Sequence, residues 1–467
     1  MALGAAIVTD VARRVLLDQF RGSGRWFVDL DTIIREGTDV QLAPPAPIDA
    51  PFSPLTAEAP ALSLPAVRGE PTRDDIRHIV SHGIMAPSGG NVQPWRFVAR
   101  GPTIRCYVDT AQHPVLLDFA RGATYLSHGA VACNMELAAR AAGLDCRIVP
   151  FPDPAQPDLV CEVTLSAATA VREAPALAAY IGQRVTNRKL GPRAPLADEA
   201  RDALLAAAGD ARLQLVTDAD ALAELGRIIG VGDRVRFLSE RMHGEMMSEL
   251  RWTPEEEERT RDGIGLAQLE MRGADLAGVR LARHWSSMRF LRVIGGGRAL
   301  EKSSKEALAA SSAMGFLTMP GAGPESYFNG GRALQRVWLT AAAVGVAFQP
   351  MAALGYLFTR VERGGGEGLD AEEIPHPARA ARPLRAGLRG PPGRGGDHDL
   401  PPRPRRPAHR PLPPPPGGAD AHLRRLITTE PRPSGSGGLG RPQSLRSLTL
   451  AVRVRWAGPT RVLAGTP

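Results

Sequence analysis

Tyr125, Gly129, Leu137, Ala139, Ala141 and Gly143 recur as Tyr327, Gly331, Leu339, Ala341, Ala343 and Gly345, each displaced by the same 202 residues. One displacement shared by every pair implies two related lobes rather than a single unrepeated core. Chance recurrence in an alanine-rich chain is the competing explanation. Both runs are dense in small residues, which lets long helices approach closely, as at the centre of a dimer. With 467 residues the chain has room for two or three domains of ~100–200 residues each. Short apolar runs at 96–99, 104–108, 159–165 and 213–216 read as strands between helical patterns. The body, residues 69–362, is therefore expected to be α+β.

Charge is informative only when divided. Residues 363–467 hold 18 of the 57 basic and 8 of the 49 acidic residues, so they carry +10, while residues 1–362 carry −2. A nucleic-acid surface needs a folded basic face with aromatic platforms; the body has no such excess, and no nucleic-acid partner is expected. Cys106, Cys133, Cys146 and Cys161 form no C-x-x-C pair, which argues against zinc and against dithiol chemistry. All four are expected to be reduced and mostly buried. No metal site is expected: His243 and Glu245 lie two apart and face different sides of a helix, unlike the H-E-x-x-H pattern. The chain shows no leader pattern and no run of ~18 uninterrupted apolar residues, so a cytoplasmic protein with no membrane partner is expected.

The stretch 86–95, Ala-Pro-Ser-Gly-Gly-Asn-Val-Gln-Pro-Trp, reads as a ligand loop. Pro87 and the two glycines break a helix and allow close backbone approach. Ser88, Asn91 and Gln93 offer a hydroxyl and two carboxamides, able to donate to and accept from the edge of a heteroaromatic ring. An ordinary Asn/Gly turn before a strand is the plainer reading. The run resembles the A-P-S-x-x-N-x-Q-P-W loop of the FMN-binding nitroreductase family. That resemblance implies FMN as cofactor, with Ser88, Gly89, Asn91 and Gln93 among its contacts.

A second motif is Arg184-Val-Thr-Asn-Arg-Lys. Arginine supplies the fixed charge and planar donor fork that a phosphate dianion needs, although an Arg-rich helix start is often only a solvated surface. The run resembles the R-x-S/T-x-R/K motif of the same family. By that resemblance Arg184 and Arg188 would meet phosphate or ribityl oxygens, with Thr186 donating its hydroxyl. In simple nitroreductases the Arg motif comes first and the Asn-bearing loop is supplied by the partner subunit. Here the order is reversed, and each lobe holds a different half of one site. The implied fold is a nitroreductase-like pseudo-dimer within one chain, similar to a two-lobed actinobacterial branch of the family. It would be a monomeric pseudo-dimer or a homodimer of such chains.

The second repeat runs into Gly345-Val-Ala-Phe-Gln-Pro-Met-Ala-Ala. By the resemblance this segment passes over the flavin, with Pro350 and Met351 packing on the ring and the Ala352 and Ala353 N–H groups near its reactive edge, where they would stabilise developing negative charge. An apolar helix end is the alternative. Arg332 would reach the site or pair with Glu325. Residues 237–265, with Met242, Met246, Met247, Trp252 and the acidic run 255–258, read either as a lid that excludes water or as a packed amphipathic helix with a solvated acidic end.

The ends differ from the body. Residues 1–40 resemble the last helix and strand of a ThiF/E1-like adenylyltransferase domain, without its nucleotide loop, so no adenylation is expected. Residues 41–68 are a Pro/Ala-rich linker. Residues 363–467 read as a disordered tail: 14 of the chain's 42 prolines fall between Pro375 and Pro416. A proline-rich docking arm is one explanation. A frameshift near residues 374–377 is the other, because codons for 396–402 read one base later can encode Glu-Ile-Met-Ile-Phe-Arg, a terminal strand with a basic residue.

The resemblance implies an FMN-dependent oxidoreductase that takes hydride from NAD(P)H, as a transient donor, and passes electrons to a small-molecule nitro or quinone-like acceptor. The cofactor would do the chemistry, and no catalytic side chain is expected. Two rivals remain: a protein that sequesters FMN without turnover, and an inactive fragment of a ThiF/nitroreductase fusion.

Overall fold

A computed structural model describes residues 69–110, 115–169, 175–271, 273–321, 323–369 and 447–456. Residues 1–40, read above as resembling a ThiF/E1-like end, the stretch 41–68 read as a linker, and residues 370–446, which include the point where a frameshift is expected, lie outside these residues.

The first lobe opens with helix α1 (Arg73–Gly83), started by a capping box in which Thr72 Oγ1 accepts from Asp75 N and Asp75 Oδ2 accepts from Thr72 N. Strands β1 (Trp95–Arg100) and β2 (Thr103–Val108), helix α2 (Gly122–Ala141) and strands β3 (Leu144–Pro150) and β4 (Leu159–Ala167) follow. Asp118 caps α2, accepting from Ala123 N at 2.7 Å and Thr124 Oγ1 at 2.6 Å. The strands form an antiparallel sheet in the order β1-β2-β4-β3.

The second lobe repeats this plan with an insertion. Helix α3 (Asp198–Ala207) and strand β5 (Arg212–Val216) lead into inserted elements: α4 (Ala219–Leu238), α5 (Glu240–Ser248), β6 (Leu250–Arg251), α6 (Pro254–Thr260), β7 (Ile264–Gly265), α7 (Gly273–Ala282), α8 (Trp285–Val293) and α9 (Lys302–Ala309). Then come β8 (Ala313–Pro320), α10 (Pro324–Ala343), β9 (Val346–Pro350), α11 (Ala353–Gly364) and β10 (Ser447–Trp456). Their sheet, also antiparallel, has the order β5-β8-β10-β9. In each lobe a 20-residue helix joins the second strand to the third, and the fourth strand inserts between them. The architecture is α+β, and the four runs read as strands from sequence lie within β1, β2, β4 and β5.

The 202-residue repeat has a physical explanation. Gly143 and Gly345 both take positive φ, 75° and 69°, where each long helix turns into its next strand. Gly129 and Gly331 are contact points between the helices. A Cβ at Gly129 would overlap the Phe328 carbonyl, and one at Gly331 would overlap the Leu126 carbonyl. Because Phe328 is the repeat mate of Leu126, the contact is reciprocal, as in an isologous interface. Across the same seam Arg332 pairs with Glu136 at 2.7 Å, rather than with Glu325, and Gln335 Nε2 donates to Asn134 Oδ1 at 2.7 Å. One apolar core runs from Val131 and Met135 to Leu334 and Trp338; a second joins the insertion to the sheet through Leu225, Ile229, Leu308 and Phe316.

The tail requires a correction. Residues 447–456 do not stay outside the core: β10 is a central strand, its Val452 and Val454 side chains fully buried, opposite Gly315 and Ala313 of β8. The slot that β4 fills in the first sheet must be filled in the second, since β8 and β9 otherwise expose their backbone groups.

None of the four cysteines is in a disulfide; three are buried and Cys146 is half-buried. Burial pushes the Cys133 and Cys146 thiols up to about 12. A hydrogen bond with Cys161, its direct cross-strand neighbour, and burial push the Cys106 thiol well above its usual range. Near pH 8 a thiol reagent should therefore label the native chain on the order of a hundredfold more slowly than the urea-unfolded chain. A thiol that reacts at the unfolded rate without urea would contradict this packing.

Candidate functional site

The Asn-bearing loop is tightly folded. Ser88 Oγ accepts from Gln93 N at 3.0 Å, and Gly90, Asn91 and Gln93 take positive φ of 57°, 54° and 52°. Two non-glycine residues, Asn91 and Gln93 on either side of Val92, in this region are a strained arrangement that the surroundings must hold. The insertion does so. Asn91 Nδ2 donates to Gly263 O at 2.9 Å, Gly263 N donates to Asn91 O at 3.1 Å, and Gln93 Nε2 donates to Arg261 O at 2.7 Å.

That clasping strap, residues 249–270, is itself cross-braced. Strands β6 and β7 pair in parallel, and Arg251 ties Asp262 at 2.6 Å, Thr260 Oγ1 at 2.9 Å and Ser248 O at 2.8 Å. Helix α5 before it is packed rather than free: Met242 and His243 are buried, and His243 Nε2 lies 2.6 Å from Ala282 O. Glu245 turns elsewhere, accepting from Leu116 N. Among the described residues no cluster of His, Cys, Asp or Glu could hold a metal. Of the two readings of 237–265, the packed helix describes α5; the segment after it forms a strap held against the Asn-bearing loop.

The arginine segment meets the same place from the second lobe. Arg184 Nη2 donates to Met85 O at 3.1 Å, at the entrance of the Asn-bearing loop. Its guanidinium lies over the Trp338 ring at 4.4 Å, and its Nε is buried without a hydrogen-bond partner. Burial pulls the Arg184 guanidinium down to about 10, so it stays charged near neutrality while lacking a carboxylate. Such a cation is partly compensated by the indole face and is suited to an anion. Arg188 is committed to the strap: its Nη1 donates to Gln268 O at 3.0 Å and its N to Glu270 at 2.6 Å. Burial lowers Arg188 and Glu270 opposes the shift. Thr186 is half-buried between the two arginines.

The segment after the second repeat joins through β9. Asn187 N donates to Phe348 O at 3.0 Å, and Trp338, stacked on Phe348 at 4.9 Å, donates from Nε1 to Val185 O at 3.2 Å. Pro350 ends β9, Met351 packs on the second core, and Ala352 and Ala353 start α11. Among the described residues no hydrogen bond joins 350–353 to the Asn-bearing loop. The structure therefore brings the two polar motifs into direct contact and the third segment only to the flank of the arginines. Trp338 escaped the sequence reading although it is the one tryptophan in the repeated helix. Gly263 and Arg261 escaped it too, signalled only by an Asp-Gly turn.

No helix of the described residues is long and apolar enough to cross a membrane. No family model matches the chain. It is 31% identical over 364 residues to an uncharacterized protein of Mycobacterium tuberculosis (strain CDC 1551 / Oshkosh), a match covering 77% of this chain and 48% of that protein. It is also 29% identical over 178 residues, 38% of this chain and 54% of the relative, to a protein of the CDC 1551 and H37Rv strains that bears the name "Putative NAD(P)H nitroreductase acg". The chain thus spans about half the length of the relatives it matches.

Proposed function

We propose that this chain is an FMN-dependent oxidoreductase of nitroreductase type, its two lobes acting as an intramolecular pseudo-dimer around one flavin. The observation that carries the reading is the Arg184 to Met85 bond: a half-buried arginine whose Nε is buried and orphaned, supplied by one lobe, stands at the mouth of the polar loop of the other. The donor set fits the group. A cation lacking a carboxylate suits a phosphate, and a Cβ at Gly89 would meet nothing within 4 Å, so that side of the loop is open to a ring. The name of the distant mycobacterial relative supports the same oxidoreductase class.

When bound, FMN would accept hydride from NAD(P)H and pass electrons to a nitro or quinone-like acceptor. Arg184, Thr186 and Arg188 would hold its phosphate and ribityl chain. Ser88, Gly89, Asn91 and Gln93 would border the ring, and Pro350, Met351, Ala352 and Ala353 would flank it. Arg184 is already partly desolvated, so binding there loses less hydration of the protein cation than at a fully solvated arginine. The strap would keep water from the loop.

A second reading, sequestration of FMN without turnover, is favoured by one observation: both carboxamides of the loop are engaged by the strap. Visible absorption of the dialysed protein, before and after NADPH or NADH without oxygen, separates the two. Bleaching supports the oxidoreductase; a persistent flavin band supports sequestration. No band even with added FMN would leave an inactive fragment. Arg184→Ala should weaken FMN binding about ten- to hundredfold, the range for losing a charge-assisted contact. Unchanged affinity in a flavin titration would remove Arg184 from the site.

A further inference from the structure

We propose that flavin binding to this chain is coupled to the uptake of one proton by Glu249, whose carboxyl lies against Gly90 in the Asn-bearing loop. The inference rests on the reading of that loop as part of an FMN site. Glu249 stands between α5 and β6, and its carbonyl accepts from Ile264 N at 2.8 Å, so its main chain is fixed by the same strap that carries Gly263 to Asn91. From there the side chain crosses onto the loop. A Cβ at Gly90 would lie 2.6 Å from Glu249 Cγ and 2.7 Å from its Oε2; only glycine leaves space for the carboxyl.

The surroundings of this carboxyl are unusual for an acid. Among the described residues it has no hydrogen-bond or ion-pair partner. The charged groups facing it are Arg236 on α4 and Glu245 on α5. On the strap, Arg251 and Asp262 are committed to each other, and the loop from Met85 to Pro94 has no titratable side chain. Burial raises the Glu249 carboxyl, Arg236 lowers it, and Glu245 raises it.

A ring seated against the loop at Gly90 would cover Glu249 and remove more water from it, and the phosphate held by the arginines would add negative charge to the same site. Both effects disfavour the carboxylate and favour the acid. The bound state then holds a proton, taken from solvent, that the free state lacks once pH exceeds the free carboxyl's titration point. By linkage, flavin affinity must fall as pH rises through that range. In its protonated form Glu249 also gains an O–H donor beside Asn91 and Gln93, whose amides are already used.

The test is FMN binding to the whole chain. Calorimetric titration at about pH 7.5, in two buffers of different ionisation enthalpy, counts protons taken up; a phosphate monoester with a second pKa of about 6 is mostly dianionic there. Flavin fluorescence gives Kd from about pH 6 to 9 for the wild type and Glu249→Gln. The expected result is net proton uptake and a wild-type affinity that falls by up to ~10-fold per pH unit, with no uptake above pH 7 and a flat Kd in the variant. FMN binding without proton uptake, or a variant that keeps the wild-type slope, overturns the coupling and leaves the flavin site standing. No FMN binding to the wild type at any pH overturns both. If Glu249→Gln does not fold, the wild-type proton count decides.

Discussion

Gly129→Ala is expected to destabilise the chain by about 3 kcal/mol or more, and Gly331→Ala by a similar amount. The added methyl at position 129 would overlap the Phe328 carbonyl and crowd Arg332 N, and at 331 it would overlap the Leu126 carbonyl. These are main-chain atoms of the facing helix, so no rotamer change relieves the clash; α2 and α10 must separate. Overpacking alone typically costs about 1–3 kcal/mol. Separation would add the loss of a buried side-chain pair, Gln335 with Asn134, and of the Arg332–Glu136 ion pair. Gly122→Ala is the internal control, because the nearest atoms to its methyl would be those of the Tyr327 ring, at 2.7 Å, a side chain rather than facing main chain. Urea unfolding of the three variants should rank 129 and 331 well below 122. Equal midpoints for all three would mean that the close helix approach does not hold the lobes together.

Removing β10 is expected to be at least as severe. Ending the chain at residue 446 strips β8 of one neighbour and β9 of its only strand partner, and it removes Val452 and Val454 from the core. Gly315 shows how closely the strand sits: a Cβ there would lie 2.7 Å from Val452 Cγ2. Opening a central strand exposes backbone groups and apolar surface together, enough to remove most of the ~5–15 kcal/mol that stabilises a typical domain. The truncated chain should therefore lose its cooperative thermal transition by circular dichroism, and with it the FMN binding proposed above, since β9 anchors the arginine segment through Phe348 O. A truncated protein that melts at the full-length temperature would show that the slot is not filled by 447–456.

Parts of the candidate site were legible in the chain because they are local. A loop of Pro, Gly-Gly and two carboxamides declares a turn in sequence, and Gly90 takes the positive φ that glycine permits; the same region at Asn91 and Gln93 depends on the strap that holds them. The arginine pair was visible as charge. Its condition was not: only packing against Trp338 and the entrance of the loop makes Arg184 a half-buried cation with a buried, orphaned donor. Glu249 was one acid among many until Gly90 was found beneath it. Strand β10 was overlooked although Leu448, Leu450, Val452, Val454 and Trp456 alternate strictly with Thr449, Ala451, Arg453 and Arg455, because the proline-rich segment before it dominated the composition.

By itself the sequence determined the periodic elements, the two lobes and the turn chemistry of the loop, since period, small-residue spacing and glycine placement are properties of neighbours along the chain. The tertiary structure alone decided that Gly129 faces the backbone of its repeat, that the insertion grips the loop, and that residues 447–456 return to the centre of a sheet. Those contacts join residues far apart in sequence, and their stabilisation comes from burial and pairing that exist only once the lobes have met.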